Sequence, residues 1–428
     1  MGFATTYLKK NALFKHFIPD KPRPELRYIV VIPAYDEDRI TDTLSSLKKA
    51  NPPKFPVEVL VVVNSSQKSP DRILQQNKQT IRDINQWRSA HADSPFHLYT
   101  LHASGLPVKD FGAGLARKIG MDEAVNRFNL VNQPNGYLIS LDADTLVDEN
   151  YFLEIEKAIA REPEINAGVI NFEHPTAGNQ FSDRTYEAAA RYELFLRYYN
   201  QGLRWTGFPY AVHTIGSAFF VKALAYIKQG GMIRRKAGED FYFLNKIFQL
   251  GKVREINSTT VFPSPRPSHR VLFGTGVEVN TMITHHQRPY RVYNPEAFHM
   301  LKNLFTPIPQ LFHCTRHQAE QFINACDPVM RNFLDHIAFQ KAIERINNNC
   351  KQPEVFQKHF FQWFGGLKII RFMHTVHEND MRKIILGHAA QTMLKWIHHS
   401  NNLILIQQSH FKLLEQYRNL EKQSEYGI

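Results

Sequence analysis

Two apolar runs decide how this chain reads: Tyr28-Ile29-Val30-Val31-Ile32-Pro33 and Val57-Glu58-Val59-Leu60-Val61-Val62-Val63. Near-continuous runs of this length, rich in Val and Ile, are the pattern of strands buried on both faces of a parallel sheet. Between them Ile40, Leu44 and Leu47 recur at helical spacing behind a polar turn, so residues 28–63 read as strand, helix, strand. Residues 97–101 and 137–141 read as a third and a fourth strand, around a helix near residues 112–128. The expected class is therefore α/β, with a mostly parallel central sheet. Ligands of open α/β sheets bind beyond the carboxyl ends of the strands. Four polar, turn-forming segments stand there: Pro33-Ala34-Tyr35-Asp36-Glu37, Asn64-Ser65-Ser66, Ala103-Ser104-Gly105 and Asp142-Ala143-Asp144.

Farther along, residues 186–199 form an aromatic-rich helical stretch. Residues 258–296 carry Pro263, Pro265, Pro267, Pro289 and Pro295 among arginines and histidines, and read as a long functional loop. Beyond residue 297 amphipathic helical patterns dominate. The expected organisation is an N-terminal extension (1–27), an α/β domain (28–296) and a helical C-terminal region (297–428).

With 428 residues, 43% of them hydrophobic, the chain can bury a large core. Its 52 Lys and Arg exceed 40 Asp and Glu by 12, which favours anionic partners such as nucleotide phosphates, acidic glycans or a phospholipid surface. No arginine-rich run interleaved with aromatics and no zinc-finger signature occurs, so nucleic acid is not an expected partner. Three cysteines, Cys314, Cys326 and Cys350, are too few and too scattered for a disulfide framework. The His313-Cys314, His317 and Cys326 spacing fits no standard structural zinc site. Residues 1–27 lack the apolar centre of a secretory signal, and the run Leu403-Ile404-Leu405-Ile406 is far short of the ~20 residues that cross a bilayer. A cytoplasmic location is expected, which leaves room for peripheral contact with the inner face of a membrane and for self-association through the C-terminal region.

Two acidic pairs carry chemistry. Asp142 and Asp144, two apart where a strand ends, can hold a hard divalent cation and reach a ribose or a metal-bound water. The same spacing serves an Asx turn. Glu239-Asp240 follows Gly238 and opens a helical pattern over residues 241–250. It can present a general base to a cleft or simply cap the helix.

Taken in order from Ile29 to Gly276, these pieces resemble the family 2 glycosyltransferases and their nucleotide-sugar-binding GT-A fold. Pro33-Ala34-Tyr35-Asp36-Glu37 is similar to that family's Pro-x-Tyr-Asn-Glu, which implies nucleotide contacts for Pro33, Tyr35 and Glu37. Asn64 stands where many members carry a base-reading Asp. Residues Gly112 to Gly120 resemble the glycine-rich helix start beside the donor diphosphate, which makes Arg117 a donor contact. Asp142 and Asp144 match the Asp-x-Asp, with Asp144 the direct ligand of Mn2+ or Mg2+ and Asp142 in support. Gly216-Ser217, Gly230-Gly231 and Gly238-Glu239-Asp240 are similar to the acceptor-side segment, which implies Asp240 as the catalytic base beside Glu239. Some enzymes of this fold complete the metal shell with a histidine, and His286, among His269 and His285, is the candidate. Arg266 or Arg270 could close on the diphosphate.

The resemblance implies an inverting transferase that moves a sugar from a nucleotide diphosphate donor to a glycan, lipid-linked or small-molecule acceptor in polysaccharide or glycoconjugate assembly. The competing reading is a non-catalytic carbohydrate-binding or scaffolding protein that kept the fold. Gln201-Gly202-Leu203-Arg204-Trp205 spells a motif of processive synthases, but it precedes Glu239-Asp240 instead of following it, and processivity is not expected.

Overall fold

The structure, a computed structural model, describes all residues except 1, 15, 236–237, 269–273, 400–407 and 425. The candidates His269 and Arg270 and the apolar run Leu403 to Ile406 thus lie outside the described residues.

The chain divides into two compact units. The first holds Met1–Ala189, Thr214–Ile283 and Leu420–Ile428. A short helix α1 (Thr5–Asn11) precedes β1 (Tyr28–Ala34), α2 (Ile40–Lys49), β2 (Val57–Ser66), α3 (Asp71–Ala90), β3 (Phe96–Leu106), α4 (Ala113–Leu130) and β4 (Tyr137–Ser140). Then come β5 (Leu146–Val147), α5 (Tyr151–Arg161), β6 (Ala167–Phe172) and α6 (Asp183–Trp205), which runs on into the second unit. The first unit resumes with β7 (Phe219–Lys222), α7 (Ala223–Lys228), α8 (Glu239–Phe248), β8 (Val253–Phe262) and α9 (Thr275–Thr284).

One eight-stranded sheet organises these elements in the order β3-β2-β1-β4-β7-β6-β8-β5. β1 pairs in parallel with both β2 and β4, Val31 lying between Leu60 and Ser140, and β3 extends the parallel set. β7 runs antiparallel to β4 and β6, and β5 antiparallel to β8. The expected α/β class, and the common direction of the first four strand ends, follow from this arrangement.

Helix α4 departs from a simple amphipathic pattern because it is covered on nearly every side. A β-carbon on its Gly120 would collide with Val31 and Val62, so the glycine lets the helix lie close on β1 and β2. On another side Tyr7 of α1 donates to Asp122 at 2.8 Å, as does Tyr226 at 2.9 Å, and Lys118 pairs with the same carboxylate at 2.8 Å. Arg127, fully buried, pairs with Glu58. Buried charge is tolerated only when partnered, and each of these four charged groups has a partner.

The segment expected as a loop over residues 258–296 contains regular elements as well as irregular backbone. β8 continues to Phe262, α9 occupies Thr275–Thr284, and β9 (Arg291–Val292) follows. Prolines end β8 and hold an extended stretch only over residues 263–268. Val279 and Met282, three apart, supply α9 with its buried face.

The second unit holds Ala190–His213 and Thr284–Asn419. After β9 it contains α10 (Pro295–Phe305), a 3₁₀ turn (Ile308–Leu311), α11 (Arg316–Ala325), α12 (Pro328–His336), α13 (Phe339–Asn347), α14 (Pro353–Trp363) and α15 (Gly366–Asn379). A short β10 (Ile384–Ile385), antiparallel to β9, leads to α16 (Leu386–Ile397), and α17 (His410–Lys422) carries the chain back. Its core is aromatic: Phe305 meets Phe360, Phe361 and Phe364 edge to face within 6.4 Å. The final residues return to the first unit, where Ile428 exchanges two backbone hydrogen bonds with Val253. All three cysteines are free thiols, and among the described residues no helix is long and apolar enough to cross a membrane.

Candidate active site

The ends of β1, β2 and β4 converge in the first unit, and α3 fastens two of them. Asn77 of α3 accepts from the Asp36 amide at 3.1 Å and donates to the Asn64 carbonyl at 2.8 Å, joining the β1 and β2 ends. Thr80 and Gln76 donate to the Glu37 carbonyl at 2.5 and 3.1 Å. Asp36 itself takes the left-handed conformation (φ 54°), which Asp tolerates better than most residues, and its carboxylate pairs with Arg72 at 2.6 Å. Asn77 and Thr80 are buried polar side chains spaced at helical intervals within the apolar stripe of Ile73, Ile84 and Trp87. That feature was the available signal for them, and the reading of strand ends alone passed over it.

Around this anchor lie the expected nucleotide residues. Pro33 is half-buried in β1, and the Tyr35 ring meets Phe111 edge-on at 5.0 Å. Asn64 is 2% exposed, and its Oδ1 has no donor among the described residues. An unpaired buried acceptor costs about 1–3 kcal/mol, so this one is poised to accept from a ligand N–H.

The two aspartates beyond β4 diverge. A turn closed by the Thr145 amide on the Asp142 carbonyl (3.2 Å), and held by Thr43 on the Ala143 carbonyl (2.9 Å), sends Asp142 and Asp144 to different cations. Asp142 binds Arg117 of α4, whose other terminal nitrogen binds Glu239. Arg117, expected beside the diphosphate, is thus committed to two carboxylates. Asp144 instead meets Arg266 at 3.0 Å.

Arg117 reaches its partners because two glycines make room. A β-carbon on Gly216 would stand 2.5 Å from its guanidinium, and one on Gly114 would meet Glu239 and the Arg235 carbonyl. Ser140 holds Gly216 in place by donating to its carbonyl at 2.6 Å. Gly238, left-handed at φ 70°, turns the chain into α8, whose first residues are Glu239 and Asp240. Asp240 is half-buried and accepts from the Phe241 amide at 2.7 Å. Burial pushes the Glu239 carboxyl up to about 7 against the opposing pull of Arg117. Burial likewise raises Asp240, again opposed by Arg117, and the Asp142 charge adds to the rise. A carboxylate made more basic in this way is a better proton acceptor.

A second cluster gathers on Arg266. Its guanidinium donates to both Glu37 oxygens at 3.2 and 2.6 Å, to Asp38 at 3.1 Å and to Asp144 at 3.0 Å. Glu37, Asp38 and Asp144 thus share one arginine. The described residues contain no group of three His, Cys, Asp or Glu side chains arranged to hold a metal ion, so the expected Mn2+ or Mg2+ ligands do not form such a group. His286 lies exposed in the turn after α9 and belongs to the second unit. Trp205 of the synthase-like motif, also in the second unit, stacks on Trp396 at 4.8 Å under the Lys302 ammonium.

Residues 29–225 match the family model described as Glycosyl transferase family 2. Over these residues the chain is similar to the family 2 glycosyl transferases. That segment contains the ends of β1, β2 and β4, while Glu239, Asp240 and Arg266 lie beyond it. Among solved structures, the chain is similar to S. aureus TarS residues 1–349 in complex with UDP-GlcNAc, at 13% identity and a TM-score of 0.39, over 79% of this chain and 91% of that one. The same TarS segment with UDP aligns at 13% identity and a TM-score of 0.36, over 78% and 91%. No curated protein matches the sequence.

Proposed function

We propose that the transferase moves a sugar from a nucleoside diphosphate donor to an acceptor hydroxyl with inversion at the anomeric carbon, in polysaccharide or glycoconjugate assembly. One observation carries this reading: through Arg117, the Asp142 end of the Asp-x-Asp is tied to the Glu239-Asp240 start of α8, so donor-side and base-side carboxylates share one cation. A scaffold that had only kept the fold would have no need to join these two elements.

In this reading Asn64, Tyr35, Glu37 and Pro33 line the nucleotide, with the unpaired Asn64 Oδ1 accepting from the base. Asp144, supported by Asp142, would be the ligand of Mn2+ or Mg2+, which when bound would neutralise charge on the leaving diphosphate. Asp240 accepts the acceptor hydroxyl proton as that oxygen attacks the anomeric carbon and the diphosphate departs. Arg117 orients Asp142 and Glu239.

The test is turnover by the purified chain against a panel of nucleotide sugars beginning with UDP-GlcNAc, with and without Mn2+. Metal-dependent transfer or donor hydrolysis that disappears in Asp240→Asn is the expected result. Retained transfer in that variant, or no binding of any nucleoside diphosphate, would defeat the proposal.

A further inference from the structure

At the edge of the sheet away from Asn64 and Asp142, the strands leave a second cavity. β7 ends at Lys222 beside Tyr137, the first residue of β4, and Asn166 and Lys252 stand just before β6 and β8. A groove of about 770 Å³ opens there within the first unit, lined by α1, α7 and these strand ends. We propose that this groove seats the headgroup of an anionic phospholipid and so holds the protein on a membrane surface. The proposal is independent of the transfer chemistry, whose residues lie at the other ends of the strands.

Charge selects an anion. Lys10, Lys222, Lys228 and Lys252 line the groove against a single carboxylate, Glu164. Glu164 is committed to Lys252 at 3.0 Å, and Lys10 and Lys228 have no acidic partner among the described residues. Lys222 is 7% exposed, and its ammonium donates to the Pro163 carbonyl at 2.7 Å. An ammonium carries three donors, so a phosphate oxygen suits this one. Burial holds Lys222 below the usual lysine pKa, with Glu164 opposing the fall. Lys252 takes the left-handed conformation (φ 55°) directly after Gly251 (φ 73°). That conformation is uncommon for a long side chain, and such outliers gather at binding sites.

Apolar surface selects a lipid over a free anion. Phe3 and Ile227 line the same groove, and Leu224 of α7 is 41% exposed at it. Leu13 and Phe14, which follow α1 in the chain, are 37% and 39% exposed. Inorganic phosphate would satisfy the lysines and leave these side chains in water, whereas a phospholipid offers an anion and an apolar chain together. Lys10 is presented from a fixed place because α1 is docked. Tyr7 meets Tyr226 edge to face at 5.9 Å, and the Ala4 amide donates to Asn129 at 2.8 Å.

The experiment is co-sedimentation of the full chain with vesicles of phosphatidylcholine alone and of an equal mixture of phosphatidylcholine and phosphatidylglycerol. Wild type should bind the mixture and not the neutral vesicles. Lys10→Gln with Lys228→Gln should lower the partition coefficient by about tenfold or more, since each lysine near an anionic surface contributes roughly fivefold. Leu224→Ser should weaken binding as well. Lys10, Lys228 and Leu224 are exposed, so these changes leave the fold intact, which thermal melts check. The control pair Lys341→Gln with Lys351→Gln removes the same charge from exposed sites in the second unit and should bind as wild type does. No binding of wild type to the mixed vesicles, or an equal loss in the control pair, overturns the proposal. Stabilisation by inorganic phosphate that the Lys10 and Lys228 changes abolish, without vesicle binding, would assign the groove to a soluble anion and overturn it too.

Discussion

A β-carbon on Gly216 would stand 2.5 Å from Nη2 of Arg117, so the glycine after the long helix α6 exists to admit a guanidinium. Gly216→Ala should push Arg117 off Asp142 and Glu239. Crowding of this kind costs about 1–3 kcal/mol in a packed interior, and a buried pair left broken costs more. Urea unfolding should report a loss in that range together with a fall in kcat, and an alanine variant with unchanged stability and rate would show that Arg117 has another place to go.

Asp240 and Glu239 are neighbours with different duties. Replacing the proposed base Asp240 by an amide of the same shape removes a proton acceptor, and such groups contribute about 10²- to 10⁴-fold to rate. Asp240→Asn should therefore lower kcat by that order with its melting temperature preserved. Glu239→Gln, which weakens the grip of Arg117, should lower stability as well as rate.

The pH dependence of folding isolates Glu239. Its carboxyl lies at about 7 in the folded chain against an ordinary 4.5, chiefly through burial. A raised acid binds its proton more tightly when folded, so its contribution is present in full below 4.5 and is lost as pH rises through about 7. Urea midpoints at pH 5 and pH 8 should differ more in wild type than in Glu239→Gln, whose amide does not titrate. Equal differences in the two proteins would place the pH sensitivity elsewhere.

Asn77 clasps two strand ends with one amide. Asn77→Ala leaves the buried Asn64 carbonyl without its side-chain donor and the Asp36 amide without its acceptor, at about 1–3 kcal/mol. Those strand ends carry the proposed nucleotide contacts, so KM for the donor should rise while kcat at saturation changes little. A fall in kcat with constant KM would mean that α3 serves the chemistry and not the donor.

What the amino-acid order determined by itself was local and periodic. The apolar runs at Tyr28 and Val57 sufficed for buried strands, and the spacing of Ile40, Leu44 and Leu47 for a helix between them, because burial imposes those periods directly. The position of Asp142 and Asp144 at a strand end was legible for the same reason. The prolines after Phe262 misled, since they mark breaks in backbone hydrogen bonding but do not reveal that Val279 and Met282 would find a core to cover. Partnerships were decided only by the tertiary structure. Two aspartates separated by one alanine answer to different arginines, one 25 residues back in α4 and one 122 residues ahead beyond β8. Nothing in local spacing ranks those arginines. The sheet order does, since it sets β4 beside β1 and brings the ends of both to α4 and to the stretch that leaves β8, and the half-buried carboxylates then take the cations within reach.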